Sequence, residues 1–442
     1  MRYSNKALKM LILPLIVEQI LVMLVGMADT MMISYAGEAA ISGVALVDMV
    51  NNLIITILSA VATGGAVIIA QYLGSKDKKN ASYAASQLLT ITVIISTVIM
   101  VICLLLHRMI LKFLFGSIEN NVMEAAITYF WVSALSFPFL GIYNTSAALF
   151  RSMGKTKTTM YVSLLMNVIN VVGNSIGIFL FHAGVIGVAI PTLISRAVAS
   201  FIMVYLAFDM KNEVHICLKE ILSWNKSMIR RILHIAVPNG IENGLFMLGK
   251  VLVTSIVSLF GTTQIAANGV ANSVDYIVII VVNAINMSIV TIVGQCVGAR
   301  DYEQTRYYIK KLMIISYVAT GILNIVVLIF LQAILGFFTL SQETYHLSVL
   351  LIIMHNVLAL LLHPTSFILS NGLRAAGDVR FTMYVGIGSM IVFRLGSAVL
   401  FGIIFNMGVV GVWIAMGTDW LFRSIAFTIR FRSGKWKEYR AI

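Results

Sequence analysis

Apolar residues in this chain do not recur at every third or fourth position. They run on without a charge for sixteen to twenty residues at a time, as in Ile54–Ala70, Ile91–Leu106 and Leu312–Leu331. An α-helix rises about 1.5 Å per residue, so such a run with its flanks crosses a hydrocarbon core of about 30 Å. In lipid a helix satisfies all its own backbone hydrogen bonds, which makes it the expected form of each run. Twelve spans are predicted at 11–35, 41–72, 84–107, 124–150, 157–181, 185–208, 230–260, 264–297, 309–332, 347–372, 380–404 and 408–430. The predicted fold class is an all-α integral membrane protein.

Composition agrees with that pattern. Only 11% of residues are charged, against roughly a quarter in soluble domains, which excludes a soluble enzyme held by a single anchor. The first run carries Glu18 and Asp29 and is too long for a signal-peptide core, so it counts as a span. A formal charge of +13 raises the question of a nucleic-acid partner. The basic residues lie in alternate loops, however. One set holds Arg2, Lys6 and Lys9; Lys76, Lys78 and Lys79; Arg151, Lys155 and Lys157; the group from Lys211 to Arg231; Arg300, Arg306, Lys310 and Lys311; Arg374 and Arg380; and the tail from Arg430 to Arg440. The other set holds only Arg108 and Lys112. By the positive-inside rule both termini are cytoplasmic, as in a multi-pass protein of the cell membrane, and the basic surplus marks topology rather than nucleic-acid binding. Cys103, Cys217 and Cys296 have no ligand-like spacing, so neither a disulfide framework nor a zinc site is expected.

The chain repeats itself at an offset near 224. Pro14 and Glu18 match Pro238 and Glu242, Gln71 and Gly74 match Gln295 and Gly298, Arg151 and Gly154 match Arg374 and Gly377, and Gly184 and Gly187 match Gly408 and Gly411. The expected organisation is an N-terminal six-helix lobe at 1–208, a cytoplasmic linker at 209–231 with a surface helix around Ile216–Trp224, and a C-terminal six-helix lobe with a basic tail at 232–442. An even number of spans per half gives both halves one orientation. A pseudo-twofold axis then runs along the membrane normal, with a midplane cleft between the lobes.

Ionisable residues inside a bilayer cost roughly 2.5–3.5 kcal/mol each on insertion scales, so each needs a partner or a function. The first half holds Glu18, Asp29, Asp48 and Arg196; the second holds Glu242, Lys250, Asp275, His363, Arg394, Asp419 and Arg423. Glu18 and Asp29 project from nearly one face of span 1, about 16 Å apart along it, as an ion pathway requires. Asp29 alternatively just ends its span. Asn170 and Asn174 share a face of span 5. Their carbonyls, with the Thr192 hydroxyl, suit a hard cation such as sodium, or serve as hydrogen-bonding glue between helices. Glu242 lies one turn after Pro238, where a kink is invited. Glu242 either gains and loses a proton, as proton coupling needs, or is held ionised by a cation; of the two cations, inter-helix pairing with Arg394 is the better expectation, Lys250 being about 12 Å further along the same helix. Glu242, Lys250, Asp275, His363 and Arg394 are the expected substrate or proton-coupling residues of the second half.

The ordered, duplicated motifs carry a resemblance. They are Pro14 and Glu18 before Gly26-Met27-Ala28-Asp29-Thr30; Gln71-Tyr72-Leu73-Gly74; Arg151-Ser152-Met153-Gly154-Lys155; Gly184-Val185-Ile186-Gly187-Val188-Ala189 leading to Thr192 and Ser195-Arg196; and Leu373-Arg374-Ala375-Ala376-Gly377-Asp378. Along nearly its whole length the chain resembles the multidrug and toxic compound extrusion (MATE) family. That resemblance implies a secondary transporter of twelve spans in two six-helix lobes; the chain is expected to be a monomer and not an enzyme, with no cofactor. It implies export of organic cations or amphipathic drugs by alternating access, in antiport with sodium or protons. It also implies an N-lobe cation site at Asp29, Asn170, Asn174 and Thr192, with Asn174 standing where the family pattern has an acid. Glu242 matches an acidic position of span 7, and His363 stands where one branch has an aspartate. The excess of acids in the first half favours cation handling there. A lipid-linked oligosaccharide flippase of the same superfamily is the alternative, and no Gly-rich phosphate loop argues for ATP.

Overall fold

The computed structural model describes residues 3–116, 118–338, 340–439 and 441–442. Arg2 and Arg440, counted above among the basic ends, lie outside the described residues. Among the described residues, eleven helices are long and apolar enough to cross a membrane, and a bent pair of shorter helices counts as a twelfth span. In chain order the spans are Asn5–Ser34, Glu38–Gly74, Lys78–Phe115, the pair Asn120–Leu135 and Phe137–Ser152, Thr156–Leu180, Ile186–Ala207, Lys226–Ser258, Thr262–Gly298, Tyr302–Ile329, Gln342–Ala376, Val379–Ile404 and Gly408–Ser433, numbered 1 to 12 below.

Span 4 is bent by 46° between its two helices. Pro138 near the start of the second helix has no N–H for the preceding turn, and Ser136 closes the gap through Oγ to the Ser133 carbonyl. Span 7, by contrast, runs unbroken through Pro238.

The chain forms two units, Tyr3–Gly240 and Ile241–Ala441. The first therefore extends through the polar segment 209–231 and into the first half of span 7. That segment is tied to span 3 by hydrogen bonds: Gln87 Nε2 donates to the Glu220 carbonyl at 2.6 Å and Thr90 Oγ1 to the Ile221 carbonyl at 2.9 Å. Its helix is short, Leu218–Ile221.

The repeat is written in the backbone. Positive φ values occur at Gly37, Lys76, Gly154, His182 and Gly184 in the first unit and, at the matching positions, at Gly261, Arg300, Gly377, Asn406 and Gly408 in the second, which adds Gly434 after span 12. Five turn positions are thus the same in each half. The turn before span 3 is capped by Asp77, which accepts from the Asn80 N–H at 3.0 Å, and the turn before span 9 by Asp301, which accepts from the Gln304 N–H at 3.0 Å. Spans 5 and 11 both end in π-helical turns, over Ile176–Leu180 and Ala398–Ile404.

Close approach of neighbouring spans follows from missing side chains. A Cβ on Gly177 would lie 2.3 Å from the Gly187 carbonyl oxygen, and one on Gly173 would lie 2.6 Å from Pro191 Cβ. Spans 5 and 6 thus meet at backbone distance. The apolar core of the first unit gathers Val47, Leu58, Phe130 and Phe137, and that of the second Val274, Val278, Leu351 and Trp413.

Candidate functional site

The close packing of spans 5 and 6 brings Asn170 and Asn174 to Thr192. Asn170 Nδ2 donates to Thr192 Oγ1 at 3.0 Å, and Thr192 Oγ1 donates to the Val188 carbonyl at 2.9 Å. Asn174 Nδ2 donates to Asn170 Oδ1 at 3.3 Å and to Asp29 Oδ1 at 2.7 Å. The four predicted groups therefore form one chain of hydrogen bonds across spans 1, 5 and 6. Asn174 is fully buried, and its Oδ1 has no donor. A buried acceptor without a donor is costly unless something else satisfies it, and a cation does. Asp48 and Arg196 lie within Coulomb range of Asp29. Asp48 Oδ1 accepts from Asn51 Nδ2 at 3.4 Å, and Arg196 Nη1 donates to Ser136 Oγ at 2.7 Å. Two carboxylates against one guanidinium leave this region one formal negative charge in excess.

Glu18 does not join that group. Its Oε1 lies 2.7 Å from Arg151 Nη2, and its Oε2 accepts from Thr159 Oγ1 at 3.3 Å. The second unit repeats the arrangement, with Glu242 Oε2 at 2.7 Å from Arg374 Nη2. This corrects the expected pairing of Glu242 with Arg394. Arg374 ends span 10, and its position in the sequence made it look like a loop residue, whereas the helix carries its guanidinium back to the buried carboxylate. Arg394 instead faces Asp419 at 3.9 Å, and Arg423 Nε holds the other oxygen of Asp419 at 2.8 Å.

Lys250 is exposed, with Nζ 5.4 Å from the centre of the Phe246 ring, and pairs with no acid among the described residues. Asp275 Oδ1 lies 3.1 Å from Nδ1 of His355. His355 meets Trp413 and Trp420 edge-on. His363 is buried between Phe367, at 4.4 Å, and Trp420, at 4.9 Å, and joins neither Glu242 nor Asp275. Sequence reasoning missed the roles of Arg151, Arg374 and His355. The first two were visible in the repeat, where Glu18 and Arg151 recur together as Glu242 and Arg374.

The MatE family profile matches residues 14–176 and 238–400, one match in each half. The chain belongs to the MATE family. Membership makes it a multi-pass membrane transporter rather than an enzyme. This MATE protein is 30% identical over 438 residues to the uncharacterized transporter YisQ of Bacillus subtilis, a match covering 96% of this chain and 93% of that protein. It is 27% identical over 445 residues to the probable multidrug resistance protein NorM of Thermotoga maritima, covering 99% and 94%. In fold it is similar to a structure described as the outward-facing conformation of a multidrug resistance MATE family transporter of the MOP superfamily, with a TM-score of 0.91, 20% identity, and 98% and 96% of the two chains covered. These matches do not favour the lipid-linked flippase alternative.

Proposed function

We propose that this MATE protein exports organic cations or amphipathic drugs across the cytoplasmic membrane by antiport with sodium or protons, through alternating access, as a monomer with both termini in the cytoplasm. The observation that carries the reading is the hydrogen-bonded chain from Asp29 through Asn174 and Asn170 to Thr192. The multidrug names of relatives such as NorM support the substrate class.

In this reading Asp29 is the group that takes the coupling ion. A proton arriving on Asp29 Oδ1 neutralises the acceptor of the Asn174 bond, loosening the tie between spans 1 and 5. A sodium ion would draw on Asp29, the carbonyl oxygens of Asn170 and Asn174, and Thr192 Oγ1, with the unpartnered Asn174 Oδ1 supplying a ligand. Either ion removes the local negative excess that would otherwise hold a cationic drug, so ion and drug compete. Competition of that kind is the thermodynamic core of exchange.

The test is dye-cation transport in proteoliposomes under an imposed sodium gradient or an imposed pH gradient, with Asp29→Asn and Glu242→Gln beside the parent. Transport by the parent, lost in Asp29→Asn, is the expected result, and the gradient that drives it names the ion. Coupled transport that survives Asp29→Asn but is abolished in folded Glu242→Gln protein would move coupling to the second unit and sink the assignment.

A further inference from the structure

The second unit carries an excess of positive charge in mid-span. Glu242 is matched by Arg374, and Asp275 faces His355. Among the described residues this leaves Asp419 as the carboxylate for three cations, Lys250, Arg394 and Arg423. Arg423 is committed, since its Nε donates to Asp419 Oδ1 and its Nη2 to the Gly386 carbonyl at 3.0 Å. Ser389 Oγ takes up the same Asp419 oxygen as a donor. Arg394 reaches Asp419 only at 3.9 Å, and its buried Nε has no acceptor. Lys250 has no acid partner and lies within Coulomb range of Arg394. Both Lys250 and Arg423 stand 5.4 Å from the centre of the Phe246 ring, which lends apolar surface and a negative π face to the cluster. Cations set beside one another inside membrane spans, with one carboxylate among them, call for a function.

We infer that Lys250, Arg394 and Phe246 form a subsite for the anionic group of an amphiphilic molecule, a carboxylate, sulfonate or phosphate. Lys250 is exposed and offers three donors to such a group, Arg394 supplies a second charge behind it, and Phe246 contacts the adjoining apolar body. The repeat shows the device to be particular to this half, because the positions equivalent to Lys250 and Arg394 in the first unit are Gly26 and Asn170. The transporter would then accept anionic or zwitterionic amphiphiles beside cations. The inference rests on the export reading above for its consequence, not for the binding itself.

Two sources can supply this chemistry, an exported solute or a lipid head group, and binding measurements separate them. The full chain is placed in nanodiscs of phosphatidylcholine, and equilibrium binding of radiolabelled taurocholate and tetraphenylphosphonium is measured for the parent, Lys250→Gln and Lys250→Arg. The affinity ratio of taurocholate to tetraphenylphosphonium is expected to fall about tenfold in Lys250→Gln, as befits loss of one partly desolvated charge contact, and to be restored in Lys250→Arg. Taurocholate displaced when phosphatidylglycerol is included assigns the subsite to lipid head groups. Taurocholate retained assigns it to solutes. A ratio unchanged in Lys250→Gln, or no saturable taurocholate binding in either lipid, overturns the subsite. Gradient-driven cation transport by the same protein in proteoliposomes is read separately, so failure of the anion subsite and failure of antiport are distinguishable.

Discussion

Glu242→Gln leaves the Arg374 guanidinium in a buried site without its counter-charge. The two side chains are 7% and 6% exposed and 2.7 Å apart, so little water is available to take over from the lost carboxylate. Removing one partner of such a pair costs about 3–5 kcal/mol, most of it the penalty of the stranded charge. Arg374 keeps its bond from Nη1 to Asn371 Oδ1 at 2.6 Å, which argues for the lower end, about 3 kcal/mol. For a unit of this size 1 kcal/mol corresponds to roughly 2–4 °C, so the expected drop in melting temperature is roughly 6–12 °C. Arg374→Met strands the carboxylate instead and should fall by a similar amount. Glu242→Met with Arg374→Met removes both charges, and its melting temperature should return most of the way to the parent's. Intrinsic-fluorescence melting of the four proteins in one detergent gives the cycle directly. A Glu242→Gln protein melting within about 1 °C of the parent, with effects that simply add in the double variant, would refute the reasoning. The Glu18–Arg151 pair should show a smaller loss, because Arg151 is 18% exposed.

Gly177→Ala and Gly411→Ala push a Cβ to 2.3 Å and 2.5 Å from backbone atoms of the facing segment, so each should lower stability by about 1–3 kcal/mol in a thermal melt. Gly26→Ala meets nothing within 4 Å and should melt at or slightly above the parent temperature. Trp436→Ala removes a buried indole that donates to the Phe431 carbonyl at 3.0 Å and packs against Tyr302, and should cost about 3 kcal/mol, read as earlier proteolysis of the C-terminal segment. Asn174→Asp places a second carboxylate beside Asp29; the sodium concentration giving half-maximal transport should fall about tenfold, and an unchanged value would argue against sodium at this site.

Much of this structure is legible from the chain because lipid allows few solutions. Long uncharged runs become helices, and the predicted span at 157–181 is Thr156–Leu180 and that at 380–404 is Val379–Ile404. The bend in span 4 was not legible, since Pro138 only licenses it and packing decides whether it occurs; Pro238 carries the same signal in an unbroken helix. The group around Asp29 could be assembled from spacing on span 5 plus resemblance, but its hydrogen bonds depend on how closely spans 5 and 6 approach, which Gly173 and Gly177 decide. The partner of Glu242 was misread because helix ends are poorly marked by hydropathy. Arg374 looks the same in sequence whether it faces water or folds back on a carboxylate. The tail was read only as positive charge. It is also structure: Arg430 holds Asp378 at 2.7 Å, and Trp436 is buried.

The two halves agree and differ in different places, and the pattern of difference bears on mechanism. What they share is the capped turns at Asp77 and Asp301, the left-handed turn residues, and the ion pairs that tie Glu18 and Glu242, inside spans 1 and 7, to Arg151 and Arg374 near the ends of spans 4 and 10. These features set the scaffold and have a reason to be retained in both copies. What they do not share is a second set of residues within the spans. Asp29, Asn170, Asn174 and Thr192 are replaced in the second half by Val253, Arg394, Ala398 and Met416, while Lys250 stands where the first half has Gly26. A symmetric pair of lobes with symmetric charges would offer a solute two copies of one site. Here the first unit carries a local negative excess around Asp29 and the second a positive excess around Lys250 and Arg394. On the proposed antiport reading, the negative excess of the first unit would take a coupling cation and the positive excess of the second an anionic group. Transplanting the residues that differ, Asp29, Asn170, Asn174 and Thr192, into the second half should therefore abolish exchange while leaving the fold, which rests on the shared turns and ion pairs, able to form.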